Sequence, residues 1–349
     1  MGDSHEKVRI WGRAKAGGAW AALLACLAAS ALAGETKPKS GEDLYQSACA
    51  ACHGPRGNGA SRESVGFAVE PADFTDCNFA VREPDADWAA IIQNGGPARG
   101  FSEIMPAFGA ALTAGEIQLV LDYVRGFCAE PAWPRGELNL PLALFTEKAF
   151  PEDEALLVTT IDAEGAGAVS HKIKYEKRFA ARNQVEVAVP FRYRDRLAAG
   201  WTGGAGDIAV AYKRVLAHSL RSGSIFSASA EAVLPTGDEV RGFGNGHTVL
   251  EFFGTYGQIL PADNFVQMQG GGKFPTRPSE APRAAFWRTA VGHSLAQQGG
   301  TGRTWSPMVE FLTSRDFKTG ASTNLDVVPQ LQVTLSTRQH IIANFGVRI

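Results

Sequence analysis

Hydrophobic positions along the chain change period part-way. Between about residues 40 and 130 they recur at helical spacing, most clearly at Ile117, Val120, Leu121 and Val124. Thr113-Ala114-Gly115-Glu116 stands just before them with the form of a capping box, so the pattern predicts a helix that closes a small helical domain. Beyond residue 151 the period drops to two. Val185, Val187, Val189, Phe191 and Tyr193 alternate with Glu186, Ala188, Pro190, Arg192 and Arg194. Ile208, Val210 and Tyr212 follow the same rule, as does the run from Ile341 to the final Ile349. These are amphipathic strands, about ten to twelve of them, each near the length that a membrane-crossing strand needs.

Pro134, Pro141 and Gly136 interrupt any regular period over residues 131–151, which reads as a linker. Gly203-Gly204, Thr236-Gly237-Asp238, Gly270-Gly271-Gly272 and Gly299-Gly300 read as turns between strands. Lys172, Lys174, Glu176 and Arg178 interleave with Ile173, Tyr175 and Phe179, so a strand with a charged face alternates with an apolar one. A closed barrel in lipid wants its apolar face outside and its polar face within. A soluble sandwich alternates too, with the apolar face turned inward. The expected fold is therefore multidomain: an all-α domain followed by an all-β antiparallel barrel.

Length and charge refine this division. The 349 residues suit two domains, and a net charge of −2 with 45% hydrophobic residues excludes a disordered chain or a polybasic nucleic-acid binder. Residues 34–133 hold 7 Lys/Arg against 14 Asp/Glu, a balance of −7, whereas residues 134–349 hold 23 against 20, or +3. At the N-terminus, Lys7, Arg9, Arg13 and Lys15 precede an apolar run over 19–33 that ends in Ala31-Leu32-Ala33, the form of an export signal over residues 1–33. Cys26 after Leu23-Leu24-Ala25 loosely resembles a lipoprotein site, which ranks second.

Candidate chemistry sits in the helical half. Cys49-Ala50-Ala51-Cys52-His53 is the C-x-x-C-H haem-attachment sequence. Two thiols about one turn apart can each bond a porphyrin vinyl group, and the next imidazole then ligates the iron. A zinc site would need further ligands at short spacing, and Cys77 with a distant His supplies no such set. Of five cysteines, Cys26 belongs to the signal and two to the motif, leaving Cys77 and Cys128. In an oxidising compartment that pair can form a disulfide; separate burial is the alternative.

Residues 40–130 resemble a class I cytochrome c. Gly41-Glu42-Asp43-Leu44-Tyr45 resembles that family's first helix, and Gly54, Gly57 and Gly59 its tight loop beside the haem. Met105-Pro106 resembles its sixth-ligand segment, which implies one covalent haem c with His53 and Met105 as axial ligands. The resemblance further implies that Leu44 or Tyr45 meets Leu121 or Tyr123 where the first and last helices cross, and Pro71 is a candidate carbonyl to orient His53. Residues 177–349 resemble an outer-membrane barrel family associated with meta-pathway phenol degradation, often labelled as transporters. That similarity rests on Asn183-Gln184-Val185-Glu186, Gly206-Asp207, Leu234-Pro235-Thr236-Gly237 and Gly242-Phe243-Gly244.

These readings imply an N-terminal signal over 1–33, a monohaem domain over 34–130, a linker over 131–151 and a barrel over 152–349. With both axial positions filled, the iron carries electrons and leaves no open site for a substrate, so an electron carrier is expected and no catalytic residue. The expected partners are periplasmic redox proteins and outer-membrane lipid, with the barrel in the outer membrane and the haem domain in the periplasm. Two alternatives stand beside this: a transporter for a small solute with a haem-bearing plug or sensor, and a conduit drawing electrons from an extracellular donor, similar to fused cytochrome–porins.

Overall fold

The structure is a computed structural model and describes residues 39–163, 167–196, 200–297 and 302–349. The export signal, Cys26 and the Gly299-Gly300 turn lie outside the described residues.

Among the described residues, six α-helices build the N-terminal domain: α1 (Gly41–Ala48), α2 (Ala50–His53), α3 (Arg62–Val65), α4 (Cys77–Ala80), α5 (Asp85–Asn94) and α6 (Ala114–Arg125). Helix α6 begins where the capping box places it. The Glu116 amide donates to Thr113 Oγ1 at 3.3 Å, and the Thr113 amide donates back to Glu116 Oε2 at 2.9 Å. Its stripe of Ile117, Val120, Leu121 and Val124 is buried against Leu44 and Tyr45 of α1. The Tyr45 and Tyr123 rings meet with centroids 5.3 Å apart, so the two helices pack at the expected pair. Cys77 and Cys128 are bonded to each other, tying α4 to the turn after α6.

The C-terminal half is one antiparallel sheet of 13 strands. The strands are β1 (Glu154–Asp162), β2 (Ala168–Phe179), β3 (Asn183–Asp195), β4 (Trp201–Ala205), β5 (Ile208–Ser219), β6 (Ser224–Leu234) and β7 (Val249–Leu260). There follow β8 (Asn264–Pro275), β9 (Ala284–His293), β10 (Leu295–Ala296), β11 (Thr304–Asp316), β12 (Thr323–Thr334) and β13 (Ile342–Gly346). Neighbours pair in chain order from β1 to β13, with the short β4 and β10 attached beside β3 and β11. Ala262 and Asp263, both at φ 56, make the tight reversal between β7 and β8.

The sheet curls as a half-barrel, the antiparallel β half that the alternation predicts, and among the described residues its end strands β1 and β13 do not pair with each other. Eleven strands lie on the main path and each neighbour is antiparallel, so β1 and β13 run in the same direction and no antiparallel ladder can join them. Two glycine clusters expected to be turns lie inside strands instead, Gly203-Gly204 in β4 and Gly270-Gly271-Gly272 in β8. At Gly270 the reason is a close approach: a Cβ there would sit 2.5 Å from the Trp287 ring on the neighbouring strand.

The sheet is inverted relative to a soluble protein. Lys174, Glu176, Gln184, Glu186, Gln269 and Glu310 are buried, while Ile173, Tyr175, Val185, Phe252, Trp287 and Phe311 are exposed. Alternation alone permits either sense, and here the polar row faces inward, as a sheet in hydrocarbon requires. Among the described residues no helix is long and apolar enough to cross a membrane.

Residues 131–151 were expected to be a linker, and much of this stretch instead fills the concave face. Leu138, Leu140, Ala143, Thr146, Lys148 and Phe150 are all buried. The amides of Leu142 and Leu144 donate to Gln332 and Gln330 of β12, at 2.6 and 3.0 Å. Those of Phe145 and Thr146 converge on the Glu310 carboxylate of β11, at 3.1 and 2.7 Å. Further along, the Glu147 amide donates to Gln269 of β8 at 3.2 Å, and Lys174 of β2 reaches the Glu147 carboxylate at 2.8 Å. Inward side chains thus satisfy backbone groups that an extended, strandless segment leaves open. Pro141 keeps its place in this scheme by offering its carbonyl to Gln267 at 2.7 Å.

The helical domain rests on the end of the sheet that carries the turns 180–182, 220–223, 261–263 and 335–341 and the connection from β9 to β11. Arg82 pairs with Asp153 at 2.9 Å, Arg182 donates to the Ala132 carbonyl at 2.9 Å, and His340 meets Glu83 at 3.0 Å. The opposite end carries the longer connections 235–248 and 276–283.

Two outcomes follow from this packing. Glu310→Ala leaves two interior amides and the Gln330 side chain without their acceptor; a loss of about 2–4 kcal/mol is expected, read as a lower temperature for the heat-induced gel shift of the folded protein. The hydrogen bond to Glu83 raises the His340 pKa above its ordinary 6.5. Its contribution to docking is therefore complete below that value and lost as pH rises through the raised one. Limited proteolysis between residues 130 and 138 is expected to quicken over that rise, and His340→Ala to abolish the pH dependence.

Candidate haem site

The attachment residues are set by one short helix. Cys49 is the residue before α2, Cys52 and His53 lie within it, and Gly54 at φ 75 ends it. The backbone bonds Cys49 N to Tyr45 O at 2.8 Å and His53 N to Cys49 O at 2.9 Å carry α1 almost directly into the motif. Tyr45 locks the far side, its buried hydroxyl donating to the Gly54 carbonyl at 2.7 Å. Burial raises this phenol above its ordinary range, so it stays a neutral donor.

Cys49 and Cys52 are both free and half-buried, in a chain whose other two described cysteines are bonded. Burial, and then the neighbouring Cys52, push the Cys49 thiol up to about 11. The His53 ring stacks on Phe74 at 4.6 Å, and its Nδ1 lies 3.4 Å from the Ala72 carbonyl. With Nδ1 turned to a carbonyl, Nε2 is the nitrogen left for a metal. Burial lowers the His53 pKa against the opposing pull of that carbonyl, which favours the neutral imidazole a ligand must be. Pro71 was the expected carbonyl, and Ala72 takes its place by one residue; the Pro71 carbonyl instead packs close to Gly59.

Met105 belongs to a different element, the loop that follows α5 and the turn Gly96–Arg99. It is half-buried and makes none of the hydrogen bonds or ring contacts of His53. Its backbone is tied at both ends: the Gly96 amide donates to the Met105 carbonyl at 3.0 Å, and the Met105 amide donates to Ser102 O at 3.3 Å. Beneath the loop runs an ion pair that sequence reading missed. Arg99 is 3% exposed and holds Asp87 of α5 through Nε at 2.7 Å and Nη2 at 2.6 Å. Burial raises the Asp87 pKa even though Arg99 opposes it. The two charges are twelve residues apart and no spacing rule marks them.

Two unbonded thiols and an imidazole with one nitrogen already engaged fit the attachment side of a covalently held haem. Residues 36–124 match the family model described as Cytochrome C oxidase, cbb3-type, subunit III. The matched stretch is similar to that subunit's c-type cytochrome domain. No curated protein matches the chain. A c-type cytochrome domain implies covalently attached haem, whose iron takes up and releases single electrons.

Asp87→Ala removes the carboxylate that the buried Arg99 guanidinium holds inside the cytochrome domain. A loss of about 3–5 kcal/mol is expected, measured as a fall in the denaturant midpoint of the haem absorbance.

Proposed function

We propose that the protein is a monohaem electron carrier tethered to the outer membrane, with its cytochrome domain on the periplasmic side. Cys49 and Cys52 hold the porphyrin through thioether bonds, and His53 and Met105 are the axial ligands. The observation that carries this reading is the Cys49–Cys52–His53 constellation seated on a sheet whose charged face is the buried one.

Each part of the proposal has its own support. A sheet with Phe252, Trp287 and Phe311 outward loses stability in water and gains it in lipid. Outer-membrane barrels carry short turns on the periplasmic side and longer loops outside; the turns 180–182, 220–223 and 261–263 lie at the cytochrome end, and the long connections 235–248 and 276–283 at the other. The Cys77–Cys128 bond suits an oxidising compartment. A thioether opposite an imidazole leaves the iron no free position, which favours electron transfer over substrate chemistry. The partners are then periplasmic redox proteins and the lipid of the outer membrane.

The similarity to the phenol-degradation barrel family enters here as part of the membrane reading. The filled interior speaks against transport through the sheet. Residues 138–152 occupy the concave face and are bonded to strands on every side, so the interior is built as a seat for this segment.

Fractionation with haem staining tests the proposal. Haem is expected in the outer-membrane fraction and absent after Cys52→Ala; haem in the soluble periplasm overturns the tether. Met105→Ala is expected to keep the haem attached and to gain carbon monoxide binding in the reduced state. An unchanged spectrum removes Met105 from the ligand set.

A further inference from the structure

The turn 335–341 between β12 and β13 reaches the loop that carries Met105. Arg338 donates to the Gly100 carbonyl from both Nε, at 3.2 Å, and Nη2, at 2.9 Å. The same guanidinium lies 4.7 Å over the Phe101 ring. Gly100 holds φ 66, a left-handed turn that aims its carbonyl outward, and the Arg338 chain packs against it. From there the bonds run inward. The Phe101 amide donates to the Gly96 carbonyl at 2.9 Å, and the Gly96 amide donates to the Met105 carbonyl at 3.0 Å. Arg99 anchors the inner side of this loop through Asp87, while Phe101 and Ile104 on its outer side are exposed.

We propose that Arg338 is a positioning residue for the haem: the sheet, through this side chain, holds the Met105 loop closed against the iron. The inference rests on Met105 as the sixth ligand. A planar fork of two donors on one carbonyl, with the same cation stacked on the next ring, fixes the loop in a way one hydrogen bond does not. The membrane half then sets how readily the sixth position opens, and with it the ligand exchange and redox behaviour of the cytochrome domain.

Exogenous imidazole reads this directly, because it binds ferric haem only where the thioether has left. Its apparent affinity therefore scales with the open population. The experiment uses the full-length haem-loaded protein in detergent, titrated with imidazole and followed in the Soret band. Arg338→Ala is expected to tighten imidazole binding about threefold, the scale for losing exposed charge-assisted contacts. Arg338→Lys keeps the charge and loses the fork, and is expected to fall between the two. His340→Ala breaks the docking contact to Glu83 without touching residues 96–105, and is expected to leave the affinity unchanged. Parental affinity in Arg338→Ala, or an equal rise in His340→Ala, overturns the proposal. Met105→Ala separates it from the ligand assignment. If that variant binds imidazole no better than the parent, Met105 is not the ligand and both ideas fall. If it binds far more tightly while Arg338→Ala matches the parent, only the role of Arg338 falls.

Discussion

A sheet that turns its charged face inward has to satisfy that face group by group, because apolar packing offers it nothing. The segment 138–152 meets this demand. Its own backbone, extended and without a strand partner, has the complementary need. Gln332, Gln330, Glu310, Gln269 and Gln184 accept from its amides, and Gln267 and Arg288 donate to its carbonyls. Each side supplies what the other lacks. This contact requires the curl of the sheet, since one short segment touches strands from β2 to β13 only if the sheet bends around it.

The same segment explains why the two domains are not independent beads on a string. It leaves the cytochrome domain near Ala132, passes through the interior and delivers the chain to β1 at Asp153 and Glu154. Arg82 grips Asp153 at that point, and the turn 335–341 returns to the cytochrome domain beside Glu83 and Gly100. The haem-bearing half is thus held at both the start and the end of the sheet. Such an arrangement fixes one orientation of the cytochrome domain on the sheet.

Within the cytochrome domain His53 and Met105, the proposed axial pair, are held by different means. His53 is positioned locally, by a helix that begins at its own motif, a stack on Phe74 and the Ala72 carbonyl. Met105 sits on a loop with no regular structure, and its position depends on partners far away in sequence: Asp87 through Arg99, and Arg338 through Gly100.

Local chemistry was legible in the sequence. The C-x-x-C-H spacing, the capping box at Thr113 and Glu116 and the stripe Ile117, Val120, Leu121 and Val124 each depend on residues within a turn or two of one another, and the structure places each element there. Period-two alternation likewise announced the strands, because successive side chains must point to opposite faces. Which face turns inward, which strands end the sheet unpaired and what fills its interior were decided only by the tertiary structure. Pro134, Gly136 and Pro141 exclude a long α-helix or a strand, and that is equally true of a free linker and of a segment bonded throughout to a sheet. Glu310 and Thr146, Asp87 and Arg99, and Arg338 and Gly100 carry no mark in the chain. Their meaning is a distance, and distance between remote residues exists only once the chain has folded.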